Sequence, residues 1–266
     1  MNDTTLKSKT TRRPAVFRLA LAAACLGVWM PTAALAEKSK KEESKEEESK
    51  QVEPKPFIEH VVRDVEGWKI HVDKRLLESD QKELGDRTLK VLANKLYEIT
   101  MILPEPRVKD LQAVPIFVDL DHLLGGLQYH PDAGWLTDHG HDTAMTKTVH
   151  VPRADRLVSL AKSNHQPSVM LHELAHAYHD RVLGFDHPPI LKEYRRVVKE
   201  KLYDATLHMQ GHKTRHYALT DHKEYFAEMT EAYFGTNDFY PFVRGELKDY
   251  DPGTFALLEK IWGRLP

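Results

Sequence analysis

The decapeptide Met170–His179, MLHELAHAYH, has to be buried, and the residues around it make it a helix. Pro167 suits a first helical turn, where its missing N–H costs nothing, and Gly184 suits the position just past the last turn. Between them Val169, Met170, Leu171, Leu174, Ala175, Ala177, Tyr178, Val182 and Leu183 form an apolar surface too broad for a helix with one wet face. Into this surface are set His172-Glu173-x-x-His176. Residues four apart share a helix face, roughly one turn or ~5.4 Å of rise from each other. Two imidazoles so placed can grip one Zn²⁺ at ~2.0–2.1 Å. Glu173, rotated by about 100° from His172 on a regular helix, can reach a water on that ion and take its proton. The alternative is coincidence, which 16 histidines in one chain make easier.

A catalytic zinc takes three protein ligands and keeps a position for water. Glu224, near the start of a helix that begins within Asp221–Gly235 and is closed by Gly235, stands out as the third. Glu228 lies four residues on and shares its face. Burying two carboxylates on an otherwise aromatic and alanine-containing helix needs a cation or donors beside them. Glu224 is therefore assigned to the metal. Glu228 is assigned to the layer behind it, accepting from a ligand imidazole N–H. The competing reading makes Asp221-x-x-Glu224 a capping box, with Glu228 and Glu231 exposed.

With these residues in place, His172-Glu173-Leu174-Ala175-His176, Tyr217 and Glu224-Tyr225-Phe226-Ala227-Glu228 together resemble the zincin metallopeptidases. The resemblance is to the glutamate-zincin type found in the catalytic domain of anthrax lethal factor, and it covers about residues 148–235. It implies a zincin-like fold, a glutamate third ligand, and a catalytic tyrosine seven residues before it, the position Tyr217 holds. It implies that Tyr217 donates to the oxyanion or protonates the leaving amine; read from the residues alone, Tyr217 is one of ten tyrosines and serves equally as packing. The reaction expected is peptide-bond hydrolysis with Zn²⁺ as cofactor and a peptide or protein as substrate. A non-catalytic exported zinc-binding scaffold or binding module is the rival, and a hydrolase of non-peptide amides a third reading.

Net charge is only −2, so neither nucleic acid nor an anionic membrane is an expected partner. Residues 1–36 read as a signal peptide: Lys7, Lys9, Arg12, Arg13 and Arg18 precede an apolar run from Leu19 to Met30, and Ala34-Leu35-Ala36 offers a cleavage site. An uncleaved anchor is the alternative, disfavoured by the run's shortness and by Pro31. Cys25, the only cysteine, could carry a lipid, but apolar sequence continues past it to the better site. The expected address is exported, periplasmic or secreted, with no transmembrane segment in the mature chain. Cleavage after Ala36 would leave no disulfide and no thiolate ligand. Residues 37–56, mostly Lys, Glu and Ser with Val52 the one apolar residue besides two prolines, cannot bury enough surface to order themselves and read as a charged, disordered linker, or else as a solvated single helix.

The catalytic domain is expected over 57–266. Trp68–Val72 alternates like a strand; Asp80–Leu103 carries apolar residues at helical spacing and stops at Pro104; Val114–Leu120 reads as a strand. Residues 121–145, rich in Gly, His and Asp, read as one long loop; Asp138-His139-Gly140-His141-Asp142 within it could hold a second ion, calcium-like or zinc, but matches no ligand spacing and reads as solvated loop. Val149-His150-Val151 is expected as an edge strand that holds extended substrate by backbone pairing, or failing that as an interior strand. Helices are expected over about 190–203 and 252–262, with a loop over 237–251. His179, His187 and His216 read as structural or rim residues. The sum is an α+β fold: a small twisted sheet packed on the active-site helix, and a mainly helical C-terminal half that supplies Glu224.

Overall fold

The computed structural model of the protein describes residues 58–78 and 80–264. The expected signal peptide, with Cys25, and the charged linker lie outside the described residues. Strand β1 (His60–Val65) turns into β2 (Trp68–Asp73) through Glu66-Gly67, both left-handed at φ 52° and 88°. That pair of angles gives a tight turn whose twist matches the strands. Gly67 is also demanded by space, since a Cβ there would lie 2.3 Å from the Gln112 amide nitrogen.

Helix α1 (Lys82–Ile102) and the short α2 (Glu105–Gln112) then carry the chain over one face of the sheet to β3 (Ile116–Val118), parallel to β2. Strand β4 (Gln128–Tyr129) follows, and then β5 (Val149–Val151). The spatial order is β1-β2-β3-β5-β4, with β5 parallel to β3 and antiparallel to β4.

Alternation along these strands gives the sheet two unlike faces. One presents Trp68, Ile70, Val72, Ile116, Val118, Val149 and Val151, all buried in the main hydrophobic core with the helices. The other presents His71, Phe117 and His150, and has only a small core of its own, Phe117, Leu136 and Met145. The segment 121–145 covers this second face. It is not one featureless loop: besides β4 it holds helix α3 (Ala133–Asp138) and a 3₁₀ turn, Thr143–Met145. Both start from an aspartate, Asp132 accepting from Trp135 N–H and Asp142 from Ala144 N–H. Such short capped pieces are too brief to show a period.

Helix α4 (Ala154–Ser163) precedes α5 (Val169–Tyr178), which carries His172, Glu173 and His176 and all ten of whose residues are buried. A π-helical turn, His179–Leu183, extends α5 to Gly184 at φ +79°. The rest is mainly helical: α6 (Pro188–Glu200), the hairpin β6 (Thr206–Leu207) and β7 (Lys213–Thr214), a 3₁₀ turn Tyr217–Leu219, α7 (His222–Phe234), α8 (Arg244–Tyr250) and α9 (Pro252–Trp262). Trp262 stacks on Phe226 of α7 at 5.7 Å between ring centres and meets Tyr178 of α5 at 4.3 Å, so the last helix locks the pair that carries the site. The fold is α+β with a small sheet, as expected. Among the described residues no helix is long and apolar enough to cross a membrane.

The edge-strand assignment of Val149, His150 and Val151 is corrected here. β5 is paired on both sides and fully buried, and the strand at the end of the sheet is β4. The interior-strand alternative holds; a two-residue strand within a polar loop offers no alternation by which the sequence could show that β4, not β5, is the border.

Candidate metal centre

Helices α5 and α7 face each other across the site. Ser168, just ahead of α5, ties them at one end: its hydroxyl donates to Thr236 O at 2.9 Å and accepts from Thr236 N–H at 3.1 Å. Gly235 makes room for this clasp, since a Cβ there would fall 2.6 Å from Ser168 Oγ. At the other end Asp221 caps α7, accepting from the N–H groups of Lys223 and Glu224. The capping reading of Asp221 is thus correct, but the Glu224 carboxylate does not fold back on the helix. It reaches across to α5.

There three donor atoms converge. His172 Nε2 lies 3.1 Å from His176 Nε2 and 3.1 Å from Glu224 Oε2, and His176 Nε2 lies 3.3 Å from Glu224 Oε2. Donors on a tetrahedral ion with bonds of ~2.0–2.1 Å stand roughly 3.3–3.4 Å apart, so the triangle is nearly the size a zinc ion requires. The tautomer points the same way. His172 Nδ1 is 2.6 Å from Glu231 Oε1, so it carries the hydrogen and donates it. In the neutral ring Nε2 then bears the lone pair, aimed at the other two acceptors.

The charges around the triangle are lopsided. Glu173, Glu228 and Glu231 are buried and Glu224 is half-buried, all beside two imidazoles. Burial pushes the Glu173 carboxyl above the usual carboxylate range. Burial also raises Glu228 and Glu231, and each of these carboxyls is partly opposed by His172, with Glu231 adding to the rise at Glu228. Burial works against charge on His172 and Glu224 too, but their mutual contact overcomes it. His172 is held well above the ordinary imidazole range, with Glu231 contributing, and Glu224 well below the ordinary carboxylate range, with His176 contributing. So many acidic groups out of water need a positive charge among them. Two nitrogens and a carboxylate oxygen suit zinc, whereas calcium and magnesium prefer all-oxygen sets. The residues present therefore fit a zinc ion.

Glu173 stands beside this triangle, with Oε2 accepting the Tyr129 N–H of β4 at 2.8 Å in a buried hydrogen bond. Tyr217 sits at the rim, 47% exposed, its ring centre 6.5 Å from that of His172. Burial of its inner part, with the Glu224 charge, raises the phenol above its usual range, so it keeps its proton.

The sequence-predicted residues His172, His176, Glu173, Tyr217 and Glu224 are thus brought together. Glu228 is buried beside the His172 ring but does not accept its N–H. Its nearest approach to His172 Nδ1 is 3.7 Å, and the residue that accepts this N–H is Glu231. The signal for Glu231 was present: 224, 228 and 231 follow the i, i+4, i+7 spacing of one helix face. Tyr129, a backbone donor, left no side-chain signal. His179 and His216 are fully buried, and burial pushes each imidazole down to about 3. His187 is half-buried.

A family model described as anthrax toxin lethal factor, N- and C-terminal domain, matches residues 139–261, slightly under half of the chain. The matched span contains both facing helices and every donor of the triangle. No curated protein and no solved structure matches the chain. Fold and site together define a mixed α+β protein with a His/Glu group able to hold a metal ion, similar over that span to lethal factor.

Proposed function

We propose that this chain is an exported zinc-dependent metallopeptidase of the glutamate-zincin type, hydrolysing peptide bonds in peptide or protein substrates. The observation that carries the reading is the triangle of His172, His176 and Glu224 donors with Glu173 fixed beside it. The partial match to the lethal-factor model supports the class, and the basic, apolar and Ala-x-Ala sequence of residues 1–36 supports export.

His172 Nε2, His176 Nε2 and Glu224 would hold the ion. When bound, zinc supplies Lewis acidity, easing deprotonation of a water and stabilising negative charge on a carbonyl oxygen. Everything else falls to the chain. Glu231 holds the His172 ring by its Nδ1–H and keeps Nε2 aimed inward. The Tyr129 N–H occupies Glu173 Oε2, which leaves Oε1 to take the proton of the attacking water and deliver it to the leaving nitrogen. The raised affinity of Glu173 for a proton favours that transfer. Tyr217, protonated at the rim, donates its O–H to the oxyanion. The end strand β4, which carries Tyr129, takes over the role first given to β5 and lines the cleft for an extended substrate.

Glu173→Gln is the direct test. It keeps the shape and the three ligands, so zinc content should be unchanged while kcat on a cleaved peptide falls by roughly 10²–10⁴ or more. Cleavage that survives the substitution contradicts the mechanism. Full zinc content with no cut in any peptide library contradicts the peptidase reading and leaves a zinc-binding scaffold.

A further inference from the structure

The second face of the sheet carries polar chemistry that the first site does not use. Asp119 directly follows β3 and is 1% exposed. Its Oδ1 accepts from His60 Nε2 at 2.6 Å, and its Oδ2 faces His150 Nε2 of β5 at 2.8 Å. The other nitrogen of His150, Nδ1, lies 3.2 Å from His130 Nε2. Above this row stands His122, half-buried on the loop after Asp119, its ring centre 4.8 Å from that of His150. Asp119, His122 and His150 each offer a donor atom within 4.8 Å of the other two.

We propose that Asp119, His122 and His150 form a second metal site, one for a divalent transition ion of the zinc type, on the face of the sheet opposite the active-site helix. Two imidazoles and a carboxylate select such an ion over calcium or magnesium.

The surrounding hydrogen bonds are those a ligand set needs. Asp119 and His150 are held by a rigid sheet, and His60 steadies the carboxylate oxygen that faces away from His150. The proton between Asp119 Oδ2 and His150 Nε2 is the one a cation replaces, since ligands must be deprotonated. His150 then carries its hydrogen on Nδ1 and donates it to His130 Nε2, which is already in position. His122 has to close on the other two. It stands on the segment Asp121-His122-Leu123-Leu124-Gly125-Gly126, where two glycines allow movement. Its Nδ1 accepts from Leu124 N–H at 3.2 Å, a long hydrogen bond that such a movement gives up. The ring of His141 packs beside that of His122, 5.0 Å between centres. This site needs none of the first site's residues, so either can stand without the other.

Zinc stoichiometry and affinity of the purified chain test the proposal, with Co²⁺ absorption as a second readout. The wild-type chain should bind two equivalents. His122→Ala, a change in a surface loop, should lose one of them, or bind it at least 100-fold more weakly, with an unchanged circular dichroism spectrum. Asp119→Asn should do the same if His122→Ala folds poorly. His172→Ala should lose the other equivalent and keep this one. A wild-type chain that binds one equivalent, removed by His172→Ala, overturns the proposal. So does a second equivalent that persists undiminished in both His122→Ala and Asp119→Asn. A single equivalent removed by His122→Ala and untouched by His172→Ala would support this site and contradict the first.

Discussion

One hydrogen bond decides how His172 presents itself. Glu231 Oε1 sits 2.6 Å from Nδ1, a charge-assisted contact out of water, and it dictates which ring nitrogen carries the lone pair. Glu231→Ala should therefore weaken zinc binding by about 10–100-fold, the usual scale for losing the partner behind a ligand histidine. Glu231→Gln keeps an acceptor oxygen and should fall between the two. Competition with a chromogenic chelator measures this, and equal affinity in all three proteins would remove Glu231 from the account. The ligand residues could be read from the sequence because they come with helical spacing: 172 with 176, and 224 with 228 and 231. Which carboxylate meets the imidazole could not. That depends on the rotation of α7 against α5, which many apolar contacts set together, and it placed Glu228 at 3.7 Å and Glu231 at 2.6 Å.

At the scale of elements, the site is two facing helices and a short strand. The helices were legible from periodicity and end signals: Pro104 stops α1, Gly184 ends the extension of α5, and Asp221 and Gly235 bracket α7. What escaped was short or interior. β4 has two residues, and α8 lies within the segment 237–251 first read as loop. The clasp between Ser168 and Thr236 holds the two helices at a separation that only glycine at 235 allows. Gly235→Ala must push the Ser168 hydroxyl aside and break one or both of its bonds, a loss of about 1–2 kcal/mol at about 1 kcal/mol each. Urea unfolding of the metal-free proteins should show the midpoint falling, and the helix pair should bind zinc more weakly. An unchanged midpoint would mean the clasp contributes nothing.

Across the whole molecule, the sheet divides two kinds of interior. Its aliphatic face joins the helices in the main core, where each fully buried Val or Ile contributes roughly 1.5–3 kcal/mol. Its histidine-bearing face has a small apolar cluster and the row from His60 through Asp119 and His150 to His130. The chain announced the first face through runs such as Trp68–Val72. It hid the second, because Asp119, His122 and His150 are brought together by parallel pairing of β3 and β5 across a 30-residue excursion, not by spacing along one element. The central claim concerns the aliphatic side: His172, His176 and Glu224 share one cation. Anomalous diffraction at the zinc edge from crystals of the zinc-loaded protein tests it most directly. The account predicts a peak within ~2.0–2.2 Å of His172 Nε2, His176 Nε2 and a Glu224 oxygen. Zinc-loaded crystals with no peak among these three residues, or with a peak that Glu224 does not reach, would contradict it.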